Sequence, residues 1–218
     1  MQAPSFTISS DRIRAASSGG NMRIATSGAY TGVITKAKHV ISLQKGTHGI
    51  EFDFKADNGA TASFMTLWVM QADGTMIEGF QGIADAIAFS MKVREYTPAQ
   101  MTITEYDFSS RQDMQVSATV YPELMNKRVG LVLQSEEYEN NQGDTKTRMN
   151  IVGAFDANTQ MVPVEVMDKA EKPELLDKIV ASLKDKKLTT RQPSAAHGGH
   201  SQPSQQQGGF EDFDSIPF

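Results

Sequence analysis

Between two turn signals, Gln44-Lys45-Gly46-Thr47 and Asp57-Asn58-Gly59, the apolar residues Ile50, Phe52 and Phe54 alternate with the charged Glu51, Asp53 and Lys55. A period of two marks a strand with one face in a core and the other in water. Upstream, Tyr30-Thr31-Gly32-Val33-Ile34-Thr35 runs on through Lys36-Ala37-Lys38-His39-Val40-Ile41, a β-branched stretch that predicts one long first strand. Gly32 in its interior points to a bend or a close backbone approach. Downstream, Ala60 to Met70 returns as a third strand, so two successive hairpins give a three-stranded meander.

The period then changes. After Asp73-Gly74, residues Gly82 to Met91 place Ile83, Ile87 and Met91 on one helical face, with Ala84, Ala86 and Ala88 as helix formers. Strands are expected again at Met101–Phe108, Gln115–Val120, Val129–Leu133 and Arg148–Phe155, with a short last one from Thr159 to Val166. Lys172-Pro173-Glu174 opens a second helix whose apolar stripe is Leu175, Leu176, Ile179, Val180 and Leu183. The chain divides into a mobile arm (1–27), a β domain (28–168), a helix packed on or beside it (169–187) and a polar tail (188–218). Many short strands with one interposed helix suit a partly open Greek-key barrel, elaborated because the strand count exceeds five.

Charge limits what the β domain can bind. The chain carries 21 Lys/Arg against 26 Asp/Glu, a net charge of −5. Up to residue 168 the ratio is 14 to 19, so affinity for a polyanion cannot rest on a general basic surface. It needs a local groove with aromatic stacking. No cysteine is present, so there is no disulfide framework and no thiolate metal site. The absence of a signal-peptide pattern and of a long apolar run gives a cytoplasmic expectation with no membrane partner. No phosphate-loop, nucleophile-elbow or zinc-protease motif occurs. Asp53-Phe54-Lys55 matches the carboxylate-x-Lys piece of metal-dependent nucleases, but both charges sit on the solvent face of an amphipathic strand. His197 and His200 lie in a low-complexity run and read as linker. The expectation is no enzyme, no cofactor and no metal.

The last residues are of another kind. Gln192 to Gly209 is Gln, Ser, Gly, Pro and His with two alanines, a composition that predicts disorder. It ends in Phe210-Glu211-Asp212-Phe213-Asp214-Ser215-Ile216-Pro217-Phe218, acidic and aromatic where a solubilising tail needs no apolar side chain. Acidic residues followed by Ile-Pro-Phe resemble the C-terminus of bacterial and phage single-stranded-DNA-binding proteins, departing at Ser215, where that family usually carries another acid. The resemblance implies an oligonucleotide-binding (OB) barrel that coats single-stranded DNA in replication, recombination and repair. It also implies recruitment of replication or recombination proteins through Glu211, Asp212, Phe213, Asp214, Ile216, Pro217 and Phe218. A homo-oligomer is compatible with it. The body resembles phage members at pattern level, from Tyr30 to Ile34 through Ile50-Glu51-Phe52-Asp53-Phe54 to Trp68.

Single strands offer base faces and a phosphate line, so parity along the strands selects candidates. Met65, Leu67 and Val69 form the better core face of the third strand, leaving Phe64, Thr66 and Trp68 outward; Trp68 suits stacking or core equally. Tyr30, Lys36 and Lys38 share parity on the first strand, and with Lys45 make a positive strip. Lysines on an edge strand also serve as protection against edge pairing. A second basic group, Lys127, Arg128, Lys146 and Arg148, flanks an expected acidic loop, Glu136-Glu137-Tyr138-Glu139. The same residues leave two alternatives: an adaptor whose body binds protein, and a metal-dependent nuclease.

Overall fold

The computed structural model describes residues 22–107, 110–140 and 142–188. The fold is mainly β. Seven strands form one antiparallel sheet: β1 (Gly28–Ile41), β2 (His48–Ala56), β3 (Thr61–Met70), β4 (Ala99–Asp107), β5 (Gln112–Val120), β6 (Arg128–Glu139) and β7 (Thr145–Phe155). Helix α1 (Glu78–Ser90) follows β3, while α2 (Pro163–Met167) and α3 (Leu175–Ser182) follow β7. No helix among the described residues is long and apolar enough to cross a membrane.

Strand β1 organises the sheet. Along one side it pairs with β2 from Gly32 to Ile41; along the other Gly28 to Val33 pair with β6 and Lys38 meets Val120 of β5. Gly32 permits the crowding this needs, because a Cβ there would collide with the Lys55 carbonyl and lie 2.6 Å from the Ala56 Cα. The sheet is not closed. Strand β7 lies against β3 without pairing with it, and α1 packs across both. Beside β3 the chain from Met22 supplies the missing backbone partners: Ile24 N–H donates to the Thr61 carbonyl and Thr61 N–H to that of Met22, both at 2.8 Å. Ile24 is buried in the core. The expected arm is therefore docked from Met22 onward; its residues 1–21 lie outside those described.

The main core joins Ile34, Phe52, Phe54, Met65 and Leu67 of the meander to Leu131, Leu133 and Ile151 of β6 and β7, under Ile83 and Ile87 of α1. The helical face read from the sequence is the buried one, although the helix starts earlier, at Glu78. A second cluster, Val132, Val152, Phe155 and Val162, is covered by α3 through Leu176 with Leu175, Ile179, Val180 and Leu183, the expected stripe.

Residues 159–166 are not a strand. Pro163 stands at the first turn of α2, where its missing N–H costs nothing. Glu165 finishes the structure: its buried carboxylate accepts the Val162, Glu174 and Leu175 N–H groups at 3.0, 2.6 and 2.8 Å, capping α2 and the start of α3 together. Burial alone would raise the Glu165 pKa, but these N–H donors hold it below the ordinary carboxylate value. Glu165→Gln is expected to destabilise the protein by about 2–4 kcal/mol near neutral pH. A carboxylate depressed in the folded state stabilises above its unfolded pKa, and that gain is lost as pH falls through the folded one. The difference in denaturant midpoint between Glu165→Gln and the parent should accordingly shrink below about pH 4.5. A pH-independent difference would show that the charge is not what Glu165 contributes.

Candidate nucleic-acid interface

Two bulges set the geometry of the outer sheet face. On β1 the register with β2 slips between Ile34 and Lys36, with Thr35 as the extra residue. A one-residue slip exchanges faces. Tyr30 therefore packs against the core, its hydroxyl 2.8 Å from the Thr26 carbonyl, whereas Lys36 and Lys38 pair across to Asp53 and Glu51 on the opposite face. The single parity expected for Tyr30, Lys36 and Lys38 is corrected by that bulge.

The second bulge is on β3, between Ala62 and Met65, and it turns Phe64 outward. Phe64 has φ of 61°, a left-handed conformation that a phenylalanine rarely adopts, and the residue is 51% exposed. Asp53 fixes it by accepting the Phe64 N–H at 2.9 Å, while its other oxygen lies 3.0 Å from Lys36 Nζ. Lys36 Nζ in turn stands 5.1 Å from the Phe64 ring centroid, within cation–π range. Strain of this sort is held by the surrounding structure and gathers at functional positions.

Lys36 is thus a buried pillar, paired also to Glu51 at 3.0 Å and Glu105 at 3.6 Å. Burial opposes its charge, yet the two β2 carboxylates raise its pKa above the ordinary lysine value. Lys38 is held by Glu105 at 2.7 Å. The positive strip expected on β1 is neutralised by Glu51, Asp53 and the β4–β5 hairpin. Asp53 is committed to Lys36 and Phe64, which leaves the nuclease-like Asp53-x-Lys55 piece without a free carboxylate.

The expected acidic loop at 136–139 is the last part of β6, paired with Thr145–Arg148 of β7. Asn140 builds the turn, its side-chain oxygen accepting the Gln142 and Asp144 N–H groups. The period of two then sorts the charges: Glu136 and Tyr138 share a face with Arg148 and Lys146, while Glu137 turns the other way and accepts the Leu188 N–H at 3.2 Å. Arg148 bonds Glu136 at 2.8 Å with its guanidinium carbon 5.5 Å from the Tyr138 ring centroid. Burial would raise the Glu136 pKa, but Arg148 and Asn150 pull it below the usual carboxylate value.

These pieces meet. A groove of about 660 Å³ runs between β3, the docked N-terminal segment and the β6–β7 hairpin, lined by Arg23, Phe64, Tyr138, Asn140, Lys146 and Arg148. Of the candidates named from sequence it brings together Phe64, Lys146 and Arg148. A comparison with protein-family models finds none that matches the chain, and a comparison with curated proteins finds no match.

The other candidates lie elsewhere. Trp68 is half-buried on the same outer face, its ring against Gly49, where a Cβ would come within 2.8 Å of it. Lys45 is exposed in the β1–β2 turn. Arg128 binds Asp57 at 2.7 Å and Asn158 at 3.1 Å, away from the groove lining. Glu211, Asp212, Phe213, Asp214, Ile216, Pro217 and Phe218 are outside the described residues. Sequence reasoning missed Arg23 and Tyr138 as groove residues. Reading Glu136–Glu139 and Thr145–Arg148 as one hairpin about Asn140–Gly143 would have found Tyr138; nothing local distinguished Arg23.

Proposed function

We propose that the chain is a non-enzymatic single-stranded-DNA-binding protein, an elaborated OB barrel that holds bases and phosphates in the Phe64–Tyr138 groove. Replication or recombination proteins are recruited through the acidic tail. The observation carrying this reading is the pairing of two exposed aromatics, Phe64 and Tyr138, with Arg23, Lys146 and Arg148 in one open groove. Aromatic platforms beside cations bind single strands without reading sequence, because every base presents a π-face. The barrel reading is supported by strand order. If the β4–β5 hairpin is taken as an insertion, β1-β2-β3-α1-β6-β7 follows the OB chain order, with β1 shared between β2 and β6 and with β3 beside β7 at the point of closure.

The acidic body favours a second reading, an adaptor whose groove takes protein. Oligo(dT) separates the two. Anisotropy of a labelled oligo(dT) should rise on titration at low salt, and log K should fall linearly with log[salt], by about 0.7 per phosphate neutralised on a single strand. Arg23, which makes no ion pair among the described residues, should lower that slope by about 0.7 when changed to Ala. Lys36→Met should weaken binding with the slope unchanged, since Lys36 positions Phe64 and does not meet phosphate. The absence of binding at low salt would overturn the DNA reading in favour of the adaptor.

A further inference from the structure

Building on the single-stranded-DNA reading, we propose that Lys38 is a further phosphate-binding residue, outside the groove lining, and that Glu105 of the β4–β5 hairpin competes with phosphate for it. On the outer sheet face the residues stand in ranks across β1, β2 and β3. Lys36 faces Asp53, which fixes Phe64; Lys38 faces Glu51 and Thr66; Val40 faces Gly49 and Trp68. Successive ranks on one face are about 6.6 Å apart. Lys38 therefore lies on the rank between two aromatics, Phe64 and Trp68, and a strand leaving the groove along β3 passes beside it.

The two lysines of β1 are committed differently. Lys36 takes its partners from the adjoining strand, Glu51 and Asp53, both at 3.0 Å, and its side chain is only 8% exposed. Glu51 stands opposite Lys38 in register yet gives its carboxylate to Lys36. The Lys38 side chain is 26% exposed, and its one ion pair among the described residues is with Glu105, whose two oxygens accept from Nζ at 2.7 and 2.9 Å. That partner comes from a separate part of the sheet. Strand β4 pairs with β5, and β5 meets β1 in the single pair Lys38–Val120. Glu105 is six residues along β4 from Ala99, the residue opposite Val120, so the bond is made by the middle of the hairpin and not by its base. A phosphate presents what Glu105 presents, paired oxygens carrying negative charge, and can take over the same ammonium. The exchange leaves Lys36 its two β2 carboxylates, so Phe64 keeps its place. It also has a signature in salt. The cation released from the neutralised phosphate is offset by one that gathers on the freed Glu105, so Lys38 adds little to the salt slope while Glu105 is present.

The test is the affinity of the full chain for labelled oligo(dT) as a function of salt, read by anisotropy. Glu105→Gln should bind at least threefold more tightly at low salt, with the slope of log K against log[salt] steeper by up to about 0.7. Adding Lys38→Met to Glu105→Gln should abolish the gain and return the slope to the parent's. Asp113→Asn is the control for the general field. It removes the same charge from the same hairpin, and Asp113 is exposed with no ion pair among the described residues, so affinity and slope should stay near the parent's. A gain that survives Lys38→Met, or that Asp113→Asn matches, would reduce Glu105 to one bulk charge among many and overturn the exchange. Binding by the parent with an unmoved slope in Glu105→Gln would overturn the exchange alone. No binding by the parent at low salt would overturn the DNA reading, and the exchange with it.

Discussion

Phe64→Ala is expected to weaken oligo(dT) binding by about 10–100-fold, and Phe64→Ala/Tyr138→Ala by more than either single change. The magnitude is that of one base–aromatic stack, about 1–3 kcal/mol. Little of it should come from unfolding. Phe64 is exposed on a bulge, and the β2–β3 register is held on either side of it by Phe52–Met65 and Phe54–Ala62. The thermal midpoint of Phe64→Ala should therefore stay near the parent's while the binding curve moves. Tyr138→Phe, which keeps the ring, should bind nearly as the parent does. If the double variant binds oligo(dT) as tightly as the parent, the groove is not where bases stack.

A second large effect is expected from Gly32→Ala, in stability rather than binding. The added carbon meets the Lys55 carbonyl, the Ala56 Cα and, at 2.8 Å, the Phe54 ring edge. Two of those neighbours are backbone of β2, so relief requires β1 and β2 to part where β1 also pairs with Val129 of β6. Overpacking of this kind costs about 3 kcal/mol or more. For a body of this size that lowers the thermal midpoint by roughly 6–12 °C. Gly153→Ala is the control: the nearest atoms to its Cβ are Val132 side-chain carbons at 3.8 Å, ordinary contact, so its midpoint should barely move. Equal effects at both positions would mean that the close approach of β1 and β2 at Gly32 is not what limits the residue there.

Much of this architecture could be read from residue patterns because each strand of the meander faces a core on one side. Ile50, Phe52 and Phe54 alternate as expected and are all buried, and Gly32 marks a real backbone contact. The stripe of α3 was legible for the same reason. What could not be read depends on partners far away in the chain. The Thr35 bulge is visible only against Asp53 and Phe54, and without it Lys36 and Tyr30 look like neighbours on one face. The neutralisation of Lys36 and Lys38 needs Glu105, which arrives on a hairpin more than sixty residues later. At 159–166 the alternation of Val162, Val164 and Val166 imitates a strand, and the cap from Glu165 decides for helix. Phe64 was picked out by parity, but its left-handed backbone and its Asp53 tether belong to the folded state alone.

The last described residues of the chain have a mechanical meaning. Lys186 runs parallel to Glu136, donating to the Ser135 carbonyl at 2.9 Å and accepting the Glu137 N–H at 2.8 Å. Ser27 links this strap to the beginning of β1, through Asp185 on one side and the Ser135 N–H on the other. A load applied to the chain beyond Leu188 along the direction of β6 would reach the sheet as shear across these parallel bonds, which must yield together, and not as peeling one bond at a time. The strand that takes the load is the one that carries Tyr138. Tension on the chain beyond Leu188 would thus be felt in the groove one residue from the point of attachment at Glu137.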